Sequence, residues 1–286
     1  MGLRDTLLVL IVILAWGSNF TAMKIGLEEL PPFLFVALRF AILLPLLAFL
    51  PRPRIPWWKI IAVGALINMG QFAFMFAAMR ADVTAGLASL LVQAQAPLTI
   101  LLSALFLSER VRPIQVAGIA LAVLGLAVFA FGAGGNLTRL GLVLLLSAAL
   151  CWACGNLVLK GLRGTAMLPL FIWASLVPPL PMLALSLAVE GNNPLATLAA
   201  LSAQGWLAVI YVAVISTVVG YSIWGALLSR HKAADVTPFA LLIPVVGMIA
   251  SGIILGERLT GAEVAGTLVI LAGLTLAMLG PRIWRG

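Results

Sequence analysis

The stretch WGSNFTAMK (16–24) lies at the end of the first long apolar segment, where a membrane helix has no need of an amide or an ammonium group. A second version of it, WACGNLVLK (152–160), follows 136 residues later. The tryptophan and the lysine of the two stretches coincide, and the asparagine is shifted by one place. Matching polar positions in two apolar segments predict that the chain contains an internal repeat.

The repeat extends to later parts of the chain. SERVRPIQVAG (108–118) matches GERLTGAEVAG (256–266) at an offset of 148, and ADVTAG (81–86) resembles ADVTPF (234–239) at an offset of 153. The drift in offset corresponds to small insertions, and the order of the matching stretches is preserved. We therefore predict two repeats that together form one membrane domain, with residues 1–134 in the first and residues 135–286 in the second.

Composition places the chain in lipid. Of its 286 residues, 63% are hydrophobic and 9% are charged, and the mean hydropathy is +1.20. The charged fraction is about a third of the ~25% found in ordinary globular domains. The net charge of +8 does not indicate nucleic-acid binding, because the basic residues occur singly or in pairs between apolar segments. Cys151 and Cys154 align with Ala15 and Ser18, so we interpret their CxxC spacing as packing rather than redox chemistry.

Ten apolar segments approach the ~20 residues that a helix needs to cross a bilayer. The sequence thus predicts an all-α integral membrane protein with ten transmembrane helices in two five-helix repeats. Because five is odd, the second repeat is inverted relative to the first. The predicted segments are 6–26, 33–50, 58–79, 84–107, 113–132, 139–159, 168–189, 206–229, 238–256 and 262–281.

The distribution of positive charge predicts the orientation. Twelve of the 17 Lys and Arg residues lie at the end of the predicted bundle that holds both termini, and four lie at the other end. By the positive-inside rule, the N and C termini are therefore cytoplasmic. Inverted repeats are typical of secondary transporters, in which two similar halves face either side of the membrane in turn.

The chain resembles the EamA-type members of the drug/metabolite transporter superfamily over essentially all of its length. The resemblance implies ten helices, a multi-pass location in the bacterial inner membrane, a central cavity between the halves and export of small amino-acid metabolites. Similarity at the level of the fold does not by itself name the substrate. The stretches most similar to the bacterial exporters of O-acetylserine and cysteine are WGSNF (16–20), PPFLFVALRF (31–40), AGLASLLVQAQAP (85–97), CWACGN (151–156), VVGYSIWGALL (218–228) and LLIPVVG (241–247).

Arg39 is the first candidate for a substrate contact. It lies about seven residues into the second predicted helix, ~10 Å deep at 1.5 Å per residue. A charged side chain at this depth usually faces the bundle interior or a wet cavity. We interpret its guanidinium as a partner for a substrate carboxylate, which it can bind through two parallel hydrogen bonds. The alternative is an arginine held by helix-end carbonyls or extended to the membrane surface.

Further polar and aromatic residues of the segments are candidate substrate contacts. Their alternative roles are to join helices by hydrogen bonds or, for the aromatic pair, to mark a membrane interface. Pro97 and Pro244 are expected to kink helices that move during gating, and to free the carbonyls of Gln93 and Ala240. Gln93 and Gln95 point in different directions on an α-helix, so we expect at most one of them to contact substrate. The candidates are Asn19, Asn68, Gln71, Ser89, Gln93, Asn156, Thr217, Tyr221 and Trp224.

The nine Asp and Glu residues all fall at helix ends or in connections. A proton-coupled pump for quaternary cations would need a carboxylate inside the membrane. The pattern therefore favours a small zwitterionic substrate, with its ammonium near amides, carbonyls and aromatic rings. Membrane lipid is the other expected partner, and no cofactor or metal site is predicted. Two modes stay open, facilitated efflux down the metabolite gradient and proton coupling through an unidentified group, and the oligomeric state is not predicted.

The leading functional hypothesis is export of cysteine, O-acetylserine and other small neutral amino acids, threonine among them, by alternating access. The second hypothesis is a multidrug or other metabolite exporter of the same superfamily. An intramembrane enzyme would need a nucleophile–base set or a metal cluster, and the single histidine, His231, lies in a connection. We therefore predict that the protein is not an enzyme. A channel is disfavoured because two kinked and opposed halves favour alternation over a continuous pore.

Overall fold

The computed structural model describes residues 2–132, 137–162, 164–191, 193–231 and 233–283. All regular structure in these ranges is helical, without a strand. A helix satisfies its backbone hydrogen bonds within one segment, as a chain this apolar requires in lipid.

In the first half, 3-10 helix occurs at Leu44–Ala48 and Val92–Ala94, and a π-helix at Gly64–Gln71. The α-helices of this half are α1 (Leu3–Glu29), α2 (Pro32–Ala41), α3 (Trp57–Val63), α4 (Phe72–Arg80), α5 (Ala85–Leu91), α6 (Gln95–Leu107) and α7 (Pro113–Gly132).

In the second half, a π-helix occurs at Tyr211–Val219 and 3-10 helix at Thr237–Leu242. The α-helices of this half are α8 (Arg139–Lys160), α9 (Met167–Ala174), α10 (Pro179–Val189), α11 (Pro194–Ala200), α12 (Ala203–Ile210), α13 (Gly220–Arg230), α14 (Ala233–Val236), α15 (Ile243–Ile254) and α16 (Gly261–Ile283).

The order of elements is similar on the two sides of residues 133–136. Each half begins with one long helix, α1 or α8, and ends with another, α7 or α16. Between them, each half has a helix with a π-helical centre, formed by α3 and α4 or by α12 and α13. Each half also has a helix interrupted by a 3-10 segment, formed by α5 and α6 or by α14 and α15.

Six helical stretches of the described chain are long and apolar enough to cross a membrane. A seventh results if α9 and α10, which are bent by 40° at their break, form one span. Three shorter apolar helices, Pro32–Ala48, Pro113–Val128 and Pro238–Ile254, overlap three further predicted segments. The six long stretches are Leu3–Glu29, Trp57–Arg80, Ala85–Leu107, Arg139–Lys160, Ala203–Arg230 and Gly261–Pro281.

The last helices of the two halves, α7 and α16, pack closely along their length. A Cβ atom added to Gly118 would lie 2.7 Å from the Gly273 carbonyl oxygen, and one added to Gly125 would lie 3.0 Å from that of Gly266. Because backbone approaches backbone at both places, the absence of a side chain at these glycines allows the two helices to pack this closely.

The helix bundle has two ends, the terminal end, which holds the first and last helices' outer termini, and the opposite end. The terminal end contains Leu3, Glu109, Lys160, Arg230 and Ile283, and the opposite end contains Glu29, Arg80, Thr138, Glu190 and Glu257.

Acidic side chains join the two halves at the opposite end. The Glu29 carboxylate accepts a hydrogen bond from the backbone N–H of Ser202 (2.8 Å), just before α12. The Glu190 carboxylate accepts from the backbone N–H of Phe33 (2.7 Å), in the first turn of α2. A negative charge at a helix N-terminus is favourable because the free N–H groups there carry partial positive charge. Each carboxylate thus links its own half to a helix of the other half.

Candidate functional site

A cavity of about 320 Å³ lies within the bundle and is lined by residues of both halves. Its wall is formed by α1 and α8, by the two π-helical segments and by the breaks that precede α6 and α15. The volume is near the lower limit of the ~300–1,000 Å³ range of ligand pockets. It therefore fits a small metabolite.

Arg39, on α2, lies on the cavity wall and is 2% exposed. Its guanidinium carbon is 3.8 Å from the ring centroid of Phe72, a cation–π contact. One guanidinium nitrogen, Nη2, donates to the hydroxyl of Thr217 at 3.3 Å. The other two, Nε and Nη1, are buried and have no hydrogen-bond partner. In the described part of the chain Arg39 forms no ion pair, so its charge is available to an anion in the cavity.

Two amide side chains on the cavity wall complement Arg39. Asn19, on α1, and Gln71, at the end of the first π-helix, are 5% and 4% exposed. The side-chain oxygens Asn19 Oδ1 and Gln71 Oε1 are both buried without a hydrogen-bond partner. An unpaired buried acceptor is costly, and a donor in the cavity would relieve that cost. The cavity therefore offers free donors from Arg39 and free acceptors from the two amides.

Aromatic rings form another part of the wall. Trp16 packs against Tyr221 and Trp224, with ring centroids 5.5 Å and 5.2 Å apart. Tyr221 stacks on Phe171 at 3.9 Å. The Trp16 indole donates to the carbonyl oxygen of Ser216 at 2.8 Å, within the second π-helix. Tyr221 and Trp224 therefore share one face of α13, and both line the cavity.

Gln93, Gln95 and Asn156 all line the cavity, although an α-helix would point the two glutamines in different directions. Val92–Ala94 forms 3-10 helix, which changes the direction of the chain between them. Gln95 Oε1 accepts from Asn156 Nδ2 at 2.8 Å. Gln93 Nε2 donates to the carbonyl oxygen of Ala240 at 3.5 Å, the acceptor that Pro244 is predicted to free.

Asn68 and Thr217 were predicted to contact substrate, but they do not line the cavity. Asn68 Nδ2 donates to the carbonyl oxygen of Phe171 at 3.3 Å and to the hydroxyl of Ser175 at 3.5 Å. Thr217 is 3% exposed and accepts the bond from Arg39. Both side chains are used to join helices of different halves, which is the alternative role considered for them.

Pro97 and Pro244 lie in the first turns of α6 and α15, each shortly after a 3-10 segment. The predicted interruption of both helices is therefore present. Ser89, the remaining candidate, lines the cavity and is fully buried, and its hydroxyl donates to the carbonyl oxygen of Gly86 at 2.6 Å.

The cavity extends toward the terminal end. Leu159, Met167 and Met278 line it there, close to the ends of their helices. On the side of the opposite end, α5 and α15 cross in close contact. A Cβ atom added to Gly247 would lie only 2.5 Å from Ser89 Oγ, so the two helices leave no passage between them. The structure therefore shows a state that is closed at the opposite end.

Sequence reasoning missed the two π-helices, the wall residues Met75 and Met278, and Gln95 as a lining residue. Trp16 was recognised in the repeat but not as a site residue. Its repetition as Trp152, which also lines the cavity, is the signal that could have found both. Among the described residues, no group of three His, Cys, Asp or Glu side chains could hold a metal ion.

A family model described as the EamA-like transporter family matches residues 4–131 and again residues 139–279. The chain belongs to this family. This chain is 40% identical to a "Probable amino-acid metabolite efflux pump" of Salmonella typhimurium, and the match covers 100% of this chain and 98% of the relative. It is 39% identical, with the same coverage, to a protein of the same description from Escherichia coli K12. The family and these relatives are transporters, and this membrane protein is a transporter and not an enzyme.

A more distant relative of the EamA-family protein is a "Probable terminal-alkyne amino-acid exporter" of Streptantibioticus cattleyicolor. It is 26% identical, with 94% of this chain and 91% of the relative covered. One solved crystal structure matches with a TM-score of 0.67 over 100% of both chains at 21% sequence identity. At this identity the likeness shows the fold alone.

Proposed function

We propose that the protein exports small neutral amino acids and their metabolites, cysteine and O-acetylserine first, by alternating access. The observation that carries the proposal is the set of unpaired polar atoms on the cavity wall. Arg39 offers two free N–H donors with a positive charge, and Asn19 and Gln71 offer two free acceptor oxygens. An amino-acid zwitterion supplies the complement of both, a carboxylate and an ammonium.

The carboxylate end of the substrate is assigned to Arg39. A buried charge without a counter-ion is costly, so an arriving anion gains more than an ordinary hydrogen bond. Phe72 covers the guanidinium and Thr217 holds Nη2, which leaves Nε and Nη1 buried without a hydrogen-bond partner. Each of these two nitrogens carries an unpaired N–H that can donate a charge-assisted hydrogen bond to a carboxylate oxygen.

The ammonium end is assigned to the amide oxygens of Asn19 and Gln71, and the side chain of the substrate to the aromatic part of the wall. Trp16, Tyr221 and Trp224 form an apolar surface that accepts thiol, ester or methyl groups without a charged partner. A bare lipophilic cation lacks the group that Arg39 requires, so the cavity favours the zwitterion over a quaternary ammonium drug.

The proposed topology has ten membrane-crossing segments in two inverted repeats of five, residues 1–134 and residues 135–286. It takes the bent pair α9–α10 as one span and adds the three shorter apolar helices to the six long ones. Both termini are cytoplasmic and the membrane is the bacterial inner membrane. The cavity then faces the cytoplasm, where an exporter collects its substrate. Two bacterial relatives described as amino-acid metabolite efflux pumps support this direction of transport.

The test is counterflow of labelled cysteine, kept reduced, in proteoliposomes of the purified protein. Unlabelled O-acetylserine, threonine, phenylalanine and a quaternary ammonium dye serve as competitors, with and without a pH gradient. We expect the amino acids to compete and the dye not to compete. A response to the gradient would show proton coupling, and its absence would show facilitated efflux.

The variant Arg39→Ala is expected to abolish counterflow at substrate concentrations that saturate the parent protein. Arg139→Ala is the matched control, because Arg139 is an exposed arginine at the start of α8. Equal transport by the parent and by Arg39→Ala would contradict the assignment of the site. Competition by the dye alone, without any cysteine signal, would contradict the substrate class.

A further inference from the structure

Lys24 and Glu257 hold the junction between α4 and α5 at the opposite end. The Lys24 ammonium donates to the carbonyl oxygens of Met79 (2.7 Å) and Val83 (3.2 Å). The Glu257 carboxylate accepts from the backbone N–H groups of the first two residues of α5, at 2.7 Å and 3.0 Å. Hydrogen bonds to an ionised group are stronger than neutral ones. One side chain from α1 and one from the connection before α16 thus fix the same junction.

The internal repeat assigns a counterpart to each of these side chains. Lys24 corresponds to Lys160 and Glu257 corresponds to Glu109. The counterparts make a different contact, because the Lys160 ammonium donates to the Glu109 carboxylate at 2.7 Å. Lys160 also donates to the hydroxyl of Ser103 at 2.7 Å. Neither counterpart is hydrogen-bonded to the matching junction at the terminal end, in so far as its residues are described.

We infer that these four side chains form two exchangeable clamps, an inference that rests on the proposed alternating access. In the state described here, Lys24 and Glu257 clamp the opposite end closed, and Lys160 and Glu109 are bonded to each other. In the state open to the opposite end, Lys24 bonds to Glu257. Lys160 and Glu109 then clamp the terminal end.

The repeat also names the acceptors and donors of the second clamp. The carbonyl oxygens of Ser229 and Val236 correspond to those of Met79 and Val83. Lys24 and Glu257 already bond to backbone groups two residues apart, the Val83 carbonyl oxygen and the Ala85 N–H, so both side chains lie at the same junction before the exchange of partners.

The two clamps differ in strength at one position. Ala85, whose N–H donates to Glu257, is replaced in the second repeat by Pro238, which has no N–H. The N–H of Phe239, the counterpart of Gly86, remains. The second clamp therefore lacks one charge-assisted hydrogen bond, and the protein rests with the terminal end open.

The test measures which end is open, without any substrate. Purified protein in nanodiscs exposes both ends, so one hydrophilic maleimide reports on each of two single cysteines. The background carries Cys151→Ala and Cys154→Ser, the residues found at the matching positions of the first repeat. Leu27→Cys, 3% exposed on α1, reports opening of the opposite end. Met278→Cys, on the cavity wall near the terminal end, reports closure of that end.

Glu257→Gln is expected to raise the labelling rate of Leu27→Cys about tenfold and to lower that of Met278→Cys. Glu109→Gln is expected to change both rates in the reverse direction, and the double variant to return them toward the parent. Lys24→Met should reproduce the effect of Glu257→Gln, and Lys160→Met that of Glu109→Gln. Agreement between the two variants of each clamp would show that the shift comes from the clamp and not from misfolding of a single variant. Glu28→Gln removes an exposed acid at the same end as Glu257 and should change neither rate.

Shifts of the same sign in Glu257→Gln and Glu109→Gln, or no shift in either, would overturn the inference. The labelling experiment needs no transported substrate, so its result is independent of the counterflow assay. If the two variants shift the labelling rates in opposite directions but cysteine counterflow is absent, the clamp inference is supported and the proposed substrate is contradicted. If cysteine counterflow is present but the labelling rates do not shift in opposite directions, the proposed substrate is supported and the clamp inference is contradicted.

Discussion

Replacing Arg39 with glutamine removes the charge from the cavity wall and keeps a side chain that can donate one neutral hydrogen bond. Two guanidinium nitrogens, Nε and Nη1, have no hydrogen-bond partner in the protein, and we assign them to the substrate carboxylate. Hydrogen bonds to charged groups contribute ~1.5–3 kcal/mol each, against ~0.5–1.5 kcal/mol for neutral ones. The expected loss of binding free energy in Arg39→Gln is therefore about 3 kcal/mol, which is on the order of 100-fold in affinity for a substrate with a carboxylate.

The assay compares cysteine with cysteamine, which has the same thiol and ammonium groups but no carboxylate, as competitors of counterflow. The parent protein should bind cysteine on the order of 100-fold more tightly than cysteamine, by the free-energy difference just given. In Arg39→Gln the two affinities should approach each other, mainly through weaker binding of cysteine.

The amide oxygens of Asn19 and Gln71 are tested in the same way with 3-mercaptopropionate as a competitor. This compound has the thiol and the carboxylate of cysteine but no ammonium group. Gln71→Leu should reduce the preference for cysteine over this compound and leave the preference over cysteamine unchanged. If Arg39→Gln weakened cysteine and cysteamine by the same factor, the guanidinium would not be bound to the carboxylate, and the reasoning would be refuted.

Three further predictions concern residues outside the polar part of the site. Asn68→Ala should lower the midpoint of thermal unfolding by a few degrees, because Asn68 joins two helices with a hydrogen bond of about 1 kcal/mol. The KM of counterflow should stay unchanged, because Asn68 does not line the cavity. Gly247→Ala should shift the protein toward the state open at the opposite end, measured by maleimide labelling, because the new methyl group would overlap Ser89; adding Ser89→Gly should reverse the shift. Gly118→Val should separate α7 from α16 and destabilise the protein by about 1–3 kcal/mol, the usual cost of overpacking, in denaturant unfolding from detergent.

Much of the fold follows from periodic features of the sequence. The pair WGSNFTAMK and WACGNLVLK falls on α1 and α8, which begin the two halves and both line the cavity. Buried polar side chains in lipid have few places to go, so Arg39, Asn19 and Gln71 could be assigned to the interior from depth alone. The glycine pairs of α7 and α16 follow from their spacing. Two small residues at the same spacing in both helices indicate that the helix backbones approach closely.

The parts that were not predictable depend on the path of the backbone between helices. Helical periodicity assumes 3.6 residues per turn, whereas the π-helices and the 3-10 segments depart from it and rotate the side chains that follow. Gln95 therefore reaches the cavity although an α-helix would direct it elsewhere. Asn68 shows the converse. Its chemistry matches the site, but its amide donates to the carbonyl oxygen of Phe171 and it does not line the cavity, an outcome that only three-dimensional packing decides.

The scaffold of the transporter is nearly symmetric, but its charge is not. Arg39 on α2 bonds to Thr217 in the second π-helix, and Ser175, which aligns with Arg39, is bonded by Asn68 from the first π-helix. The two halves thus make the same kind of crossing contact, as exchange of their roles during alternating access would require. Only one of the two crossings carries a positive charge. For the zwitterionic substrate that we propose, a symmetric cavity would allow two equivalent orientations, whereas the single guanidinium would fix the carboxylate at α2 and direct the other end of the substrate toward the amides of the wall.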